Sequence, residues 1–157
     1  MEKTELEELA VVIHEIWREY YTPLIGAAQV EYMLDKFQSV DAMTRQITEE
    51  DYHYYGVLYD GELAGYYAAK PSGDDRVFLS KFYVAARFRG RGFGREMLNH
   101  LIDAARAAGA NAIWLTVHKQ NPTVDLYHKL GFTITEEIVA DIGNGFVMDD
   151  YVMEKNI

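Results

Sequence analysis

Apolar residues recur at three- and four-residue steps over the first part of the chain. Leu6, Leu9, Ile13, Ile16 and Tyr20 share one stripe, with Thr4 placed as an N-cap and Glu7 three residues on. This predicts a helix over residues 4–20 that breaks at Pro23. Val30, Met33, Leu34 and Phe37 predict a second helix over residues 27–37, and Met43 with Ile47 a short third one. From Tyr54 the period falls to two. Tyr55, Val57 and Tyr59 alternate with Tyr54, Gly56 and Leu58, Asp60-Gly61 reads as a hairpin turn, and residues 62–70 return. The polar stretch 71–75 then turns the chain into a third strand, residues 76–84.

After Gly94 the helical spacing resumes with Leu98, Leu101, Ile102 and Ala105, and Gly109 supplies a stop. Ile113, Trp114, Leu115 and Val117 make an almost continuously apolar run, as in a strand buried on both faces. Strand, helix and strand joined by a crossover of this length form a parallel pair. The fold class is therefore α/β, with a mixed sheet that is antiparallel first and parallel across the crossover. Val124, Leu126, Tyr127 and Leu130 mark a short helix that stops at Gly131. Two further strands, residues 133–142 and 147–154, flank the turn Gly143-Asn144-Gly145. The last strand, counted from Asp149 to Asn156, is expected at a sheet edge, where pairing with a second copy would give a homodimer.

Composition narrows the chemistry. At 157 residues the chain has room for one domain, residues 1–157, around a single large core. There is no cysteine, which excludes disulfides, thiolate nucleophiles and zinc-thiolate sites. The five histidines are scattered without ligand spacing, so no metal is expected. Acids outnumber bases 25 to 15, which argues against nucleic acid as a partner. No apolar run is long enough to span a membrane, and the acidic start runs directly into a helical pattern rather than a signal peptide. A cytoplasmic location is the expectation. Residues 1–60 carry 13 acids and 4 bases, which favours a cationic partner if those acids face the site.

The opposite charge gathers at one turn. Gly90, Gly92 and Gly94 alternate there among Arg87, Arg89, Arg91 and Arg95. Glycines allow a tight turn and remove the Cβ atoms that would keep a ligand off the backbone. Free amides at the helix start that follows suit a phosphate.

The spacing Arg89-x-x-Gly92-x-Gly94 resembles the acyl-CoA-binding signature of the GCN5-related N-acetyltransferases, the GNAT superfamily. The pattern Asn121…Tyr127-x-x-x-Gly131-Phe132 resembles that family's second signature, in the right order and about thirty residues on. The resemblance implies a GNAT-like (acyl-CoA N-acyltransferase) sheet flanked by helices, although the strand that usually precedes the family's first helix is not readable here. It also implies acetyl-CoA as cosubstrate. Pantetheine would lie along the backbone of Phe82, Tyr83 and Val84. The pyrophosphate would rest on the amides of Gly90, Arg91, Gly92, Phe93, Gly94 and Arg95, with Arg87 and Arg89 near the phosphates. Asn121 would bind pantetheine or cap the next helix, and Tyr127 would protonate the leaving thiolate or pack in the core. The acceptor is expected to be a small-molecule amine flanked by Tyr20 and Tyr21. Glu31, His53, His118 and the Asp149-Asp150 pair are the candidates for binding it or taking its proton. Two other functions fit the same motifs: a non-catalytic acyl-CoA-binding sensor, and a protein or peptide N-acetyltransferase.

Overall fold

In the computed structural model, which describes residues 3–157, helix α1 (Lys3–Ile25) continues through Pro23 instead of breaking there. Proline removes its own amide and crowds the preceding turn, yet here the helix has almost ended. The stop is Gly26, whose φ of 86° no other residue adopts without strain. The helix also already contains Lys3, so Thr4 lies inside it rather than at its cap.

The chain divides into two compact units. The first comprises the chain up to Lys70 together with Lys81–Asn99. It holds α1, α2 (Ala27–Gln38), α3 (Val40–Glu49), β1 (His53–Tyr59), most of β2 (Glu62–Ser72), the end of β3 (Arg76–Val84) and the start of α4 (Phe93–Ala107). Ser39 caps α3, its Oγ accepting from the Ala42 amide at 3.1 Å. Asp60 and Gly61 both have positive φ, 56° and 80°, as a two-residue hairpin between β1 and β2 requires. Ile13, Ile16, Val30, Leu34 and Met43 fill the core.

A chain of polar side chains crosses that core. Trp17 Nε1 donates to the Tyr66 hydroxyl at 2.9 Å, and Tyr66 donates to Gln38 Oε1 at 3.1 Å. Gln38 Nε2 reaches the Tyr54 hydroxyl at 3.2 Å, and Tyr54 donates to Gln46 Oε1 at 2.5 Å. Three helices and the β1–β2 hairpin are thereby held in one register.

The second unit comprises Pro71–Ser80 and His100–Ile157. It contains the first part of β3, the end of α4, β4 (Ala112–His118), α5 (Thr123–Lys129), β5 (Thr133–Gly143) and β6 (Phe146–Asn156). β3 pairs with β4 in parallel from Arg76↔Ala112 to Leu79↔Leu115; β3 itself runs on to Val84 and β4 to His118. β6 pairs antiparallel with both β4 and β5. Ile113, Leu115, Leu101, Phe132 and Met153 are among its buried apolar residues.

Strand order is β1-β2-β3-β4-β6-β5, so the last strand of the sequence is not an edge. The Asn144-Gly145 turn, with φ of 54° and 78°, folds β6 back between β5 and β4. The edges are β1 and β5, and the dimer route through Asp149–Asn156 is closed because its hydrogen bonds are spent on both sides. Among the described residues no strand precedes α1, and no helix is long and apolar enough to cross a membrane.

Candidate active site

The glycine loop connects the end of β3 to α4 through one short helical turn, Ala86–Phe88. Gly90 and Gly92 have φ of 77° and 86°, and a Cβ added to either would meet no atom within 4 Å. The turn therefore presents bare backbone to open space. α4 begins at Phe93, with Glu96 N bonded to Gly92 O at 3.0 Å as its first turn closes. The amides before Glu96 have no acceptor within the helix. Bare backbone, left-handed glycines and helix-start amides together form a cradle that suits a pyrophosphate. Gly94 differs: a Cβ there would touch Phe82 and Val84 at 3.9 Å, an ordinary contact.

The arginines divide into two kinds. Arg87 pairs with Glu62 at 2.9 Å, and Arg89 with Glu19 at the same distance. Arg89 Nε also donates to the Val84 carbonyl at 3.2 Å, and its guanidinium lies 4.2 Å over the Tyr20 ring. Arg89 thus ties α1 to the end of β3 with donors that the sequence reading reserved for phosphate. Arg91 and Arg95 are exposed, with Arg91 leaning over Tyr59 and Phe88.

Tyr83 joins the end of β3 to the predicted acceptor wall. Its ring lies 5.7 Å from Trp17, 5.7 Å from Tyr20 and 6.0 Å from Tyr21. Its hydroxyl shares a hydrogen bond with that of Tyr21. Tyr20 and Tyr21 therefore stand beside the β3 end, from within α1. A cavity of about 540 Å³ opens along the same helix, lined by Val12, Ile16 and Leu63, by the carboxylates of Glu15, Glu19 and Glu62, and by Arg87. Glu31 and His53 are engaged elsewhere. Glu31 takes two hydrogen bonds from Arg18, at 2.7 and 3.2 Å, which hold its carboxyl below the usual range. His53 is exposed at the start of β1, 3.8 Å from Asp51.

Two features of this unit escaped the sequence reading. Gly65 lies inside β2 where a Cβ would come 2.6 Å from the Tyr83 carbonyl oxygen. A glycine within a strand is a signal of close backbone approach, and it was available. Lys81, on β3, is buried beside the ring of Tyr52, its Nζ 5.6 Å from the centroid, and burial pushes its amine down to about 8. Below that pH the folded protein carries a buried charge that the unfolded chain would solvate. Stability linked to Lys81 is thus lowest below about pH 8 and recovers as pH rises towards the ordinary lysine value of about 10.4. Lys81→Met is expected to raise stability at neutral pH by about 1–3 kcal/mol, with the gap closing above about pH 10. Melting curves against pH measure it, and a variant less stable than wild type at neutral pH would sink it.

In the second unit, Asn121 is buried and its Oδ1 accepts from the Thr123 amide at 3.0 Å and the Thr123 hydroxyl at 2.8 Å. These bonds turn the chain just ahead of α5, whose cap position is Pro122. Tyr127 is buried on α5, with its ring 5.6 Å from Phe132 in an edge-on contact. His118 ends β4, its Nδ1 accepting from the Gln120 amide at 3.2 Å. Asp149 meets Lys119 Nζ at 2.9 Å. Asp150, one of the candidates for binding the acceptor or taking its proton, is 2% exposed. β6 runs between β4 and β5, and of the pair only Asp150 is enclosed, the Asp149 side chain staying half exposed. Among the described residues no group of three or more His, Asp or Glu is placed to hold a metal ion.

The model of the acetyltransferase (GNAT) family matches residues 10–132. An uncharacterized N-acetyltransferase of Mycobacterium tuberculosis is 27% identical over 156 residues, covering 98% of this chain and 99% of that protein. The spermine/spermidine N(1)-acetyltransferase of Bacillus subtilis is 33% identical over 98 residues, 55% of this chain and 64% of the relative. The streptothricin acetyltransferase of Streptomyces lavendulae is 39% identical over 75 residues, 46% of this chain and only 40% of that protein. Among solved structures, the PaiA N-acetyltransferase of Thermoplasma acidophilum in complex with coenzyme A superposes with a TM-score of 0.82 at 22% identity, covering 100% of this chain and 96% of that one.

Proposed function

Because the chain belongs to the acetyltransferase (GNAT) family, we propose that it moves the acetyl group of acetyl-CoA to a primary amine of a small cationic molecule. The observation that carries this reading is the cradle at Gly90 and Gly92: left-handed backbone, open space where a Cβ would be, and the free amides of α4. Backbone of Phe82, Tyr83 and Val84 would hold the pantetheine arm, and the amides from Gly90 to Arg95 the pyrophosphate. Arg91 and Arg95, being exposed, supply charge beside it. Arg87 and Arg89 hold the loop to Glu62 and Glu19 instead. Acetyl-CoA brings an activated thioester, and the amine attacks it directly, there being no cysteine to carry the acetyl group.

Tyr127 is the group assigned to the departing sulfur. A phenol that donates as negative charge develops lowers the barrier without itself changing charge beforehand. The acceptor's chemistry is supported by Glu15 on the cavity along α1, where Glu19 and Glu62 already pair with Arg89 and Arg87, and by Tyr21, an aromatic neighbour of the β3 end that suits a cation. Relatives named for streptothricin and for spermine and spermidine act on compounds rich in amines, in line with this class.

Calorimetric titration with acetyl-CoA is the test. The intact protein is expected to bind at micromolar concentration. Gly92→Val forces a β-branched residue to a φ of 86° and fills the cradle, and should weaken binding at least about 100-fold. Thiol release with spermidine as probe should fall about 10- to 100-fold in Tyr127→Phe while acetyl-CoA affinity stays within about twofold. An intact protein that binds no acetyl-CoA ends this reading.

A further inference from the structure

Tyr59 stands beside the phosphate cradle and has no part in the chemistry assigned so far. It is the last residue of β1, just before the Asp60-Gly61 turn, and it pairs across the hairpin with Glu62. Both side chains reach the glycine turn. Glu62 bonds Arg87 at 2.9 Å, while the Tyr59 ring lies edge-on to Phe88 at 6.0 Å and to Phe93 at 5.7 Å. The Arg91 guanidinium stands 5.8 Å over the same ring. Residues on both sides of Gly92 are thus neighbours of Tyr59, and all of them belong to the first unit.

The surface at this point is open. Phe88 is 5% exposed and serves packing, whereas Tyr59 is 49% exposed at the rim of the turn. Arg91 is exposed too, and among the described residues no carboxylate pairs with it, unlike Arg87 and Arg89. Gly90 and Gly92 on either side of Arg91 leave open space where a Cβ would be. An aromatic ring, an unspent guanidinium and bare backbone therefore meet at one accessible place. The ring is also well held. A two-residue turn with φ of 56° and 80° fixes the end of β1, and the Glu62–Arg87 pair ties that hairpin to the turn.

We propose that Tyr59 carries the adenine of acetyl-CoA and that the Arg91 side chain meets its 3′-phosphate. This rests on the acetyltransferase reading above. The nucleotide's connectivity supplies the link. One ribose bears the pyrophosphate on its 5′ carbon, the base on its 1′ carbon and the remaining phosphate on its 3′ carbon. With the pyrophosphate on the backbone of Gly90 and Gly92, the base lands beside the turn. Tyr59 is the exposed ring that the turn's own side chains contact there. A purine stacks on an aromatic face without needing hydrogen bonds from it. The 3′-phosphate lies between base and pyrophosphate, and Arg91 likewise spans the interval between the Tyr59 ring and the cradle. Its planar fork of donors matches a phosphate. Two other rings at the turn do not compete: Phe88 is buried, and Tyr20 already carries the Arg89 guanidinium at 4.2 Å.

Calorimetry, by displacement where a ligand is weak, separates the parts with acetyl-CoA, its 3′-dephospho form and S-acetyl pantetheine 4′-phosphate, which has neither base nor ribose. Tyr59→Leu keeps an apolar contact with Phe88 and Phe93 but offers no aromatic face. It should weaken the first two ligands about 10-fold each and the third by no more than about twofold. Tyr59→Phe should hold all of them within about twofold of wild type. Arg91→Gln should weaken acetyl-CoA about 5- to 10-fold and the dephospho form by no more than about twofold. Leu58→Ala, at the adjacent exposed residue, is the control and should change nothing. Wild type gives a second reading that no folding defect can disturb. Adenosine 3′,5′-bisphosphate, which lacks the pantetheine arm, should displace acetyl-CoA at about 1–10 mM, and ribose 5-phosphate should not. Full acetyl-CoA affinity in Tyr59→Leu, an equal loss on all the ligands, or equal displacement by the base-free sugar phosphate would overturn the proposal and leave the acetyltransferase reading intact. An equal loss with and without the 3′-phosphate in Arg91→Gln would overturn the assignment of that arginine. An intact protein that binds no acetyl-CoA would take both readings down.

Discussion

Gly65→Ala is expected to cost the protein most of its affinity for acetyl-CoA although the residue touches no part of the glycine loop. A Cβ at this position would lie 2.6 Å from the Tyr83 carbonyl oxygen and 3.3 Å from both Val84 Cα and Met97 Sδ. The methionine can swing aside; a strand backbone cannot. Relief requires the Tyr83–Val84 segment to move, and that segment is fixed on both sides of the contact. Ala85 N donates to Ala64 O at 2.8 Å, and Arg89 Nε donates to Val84 O at 3.2 Å. Displacement therefore reaches the point where β3 hands over to the loop. Overpacking of this kind costs about 1–3 kcal/mol of stability. Acetyl-CoA affinity should fall about 30-fold or more, equivalent to about 2 kcal/mol. Gly56→Ala is the control. Its Cβ would come 2.8 Å from Leu63 Cδ1, the end of a side chain that can rotate, so stability should dip slightly and affinity hold. Calorimetry on both variants decides the matter: equal affinities would show that the β3 end does not bear the cofactor.

Local chemistry made much of this fold readable. Asp60-Gly61 needs positive φ at both positions, and few other dipeptides accept it. The alternating glycines before an amphipathic helix likewise announce their own conformation. What stayed hidden depended on partners distant in sequence. Nothing in residues 147–154 says whether one neighbour or two will pair with them, so the burial of Asp150 could not be read. Pro23 misled because a helix breaker two residues before a natural stop breaks nothing. Arg89 misled in the opposite direction. Its motif position is legible, but the guanidinium's actual partners, Glu19 and the Tyr20 ring, come from a helix far earlier in the chain.

Tyr66→Phe is expected to destabilise the fold by about 2–4 kcal/mol, far more than the loss of one exposed hydroxyl. The Tyr66 oxygen stands between two buried groups. It accepts from Trp17 Nε1, a residue 4% exposed, and donates to Gln38 Oε1, a residue 0% exposed. Burial raises the phenol well above its ordinary value, so the hydroxyl keeps its proton and both bonds persist at any ordinary pH. Phenylalanine keeps the ring and leaves no cavity, which isolates the polar term. An indole N–H and an amide oxygen would then be stranded in the core, each losing water without recovering a partner. Melting should fall by about 5–10 °C for a chain of this size. The partner variant Gln38→Met separates network from packing. If the bonds act as a unit, the double variant should be less unstable than the sum of the singles, with a coupling of about 1 kcal/mol or more. Strict additivity would mean that α1 is held by its apolar face alone. The distinction bears on function, because Trp17 and Tyr66 both contact the Tyr83 ring, each at 5.7 Å. Tyr83 is where α1 and the end of β3 meet. A network that fixes Trp17 fixes the aromatic wall against that strand, so loosening it should raise the KM for the amine probe before it alters the affinity for acetyl-CoA.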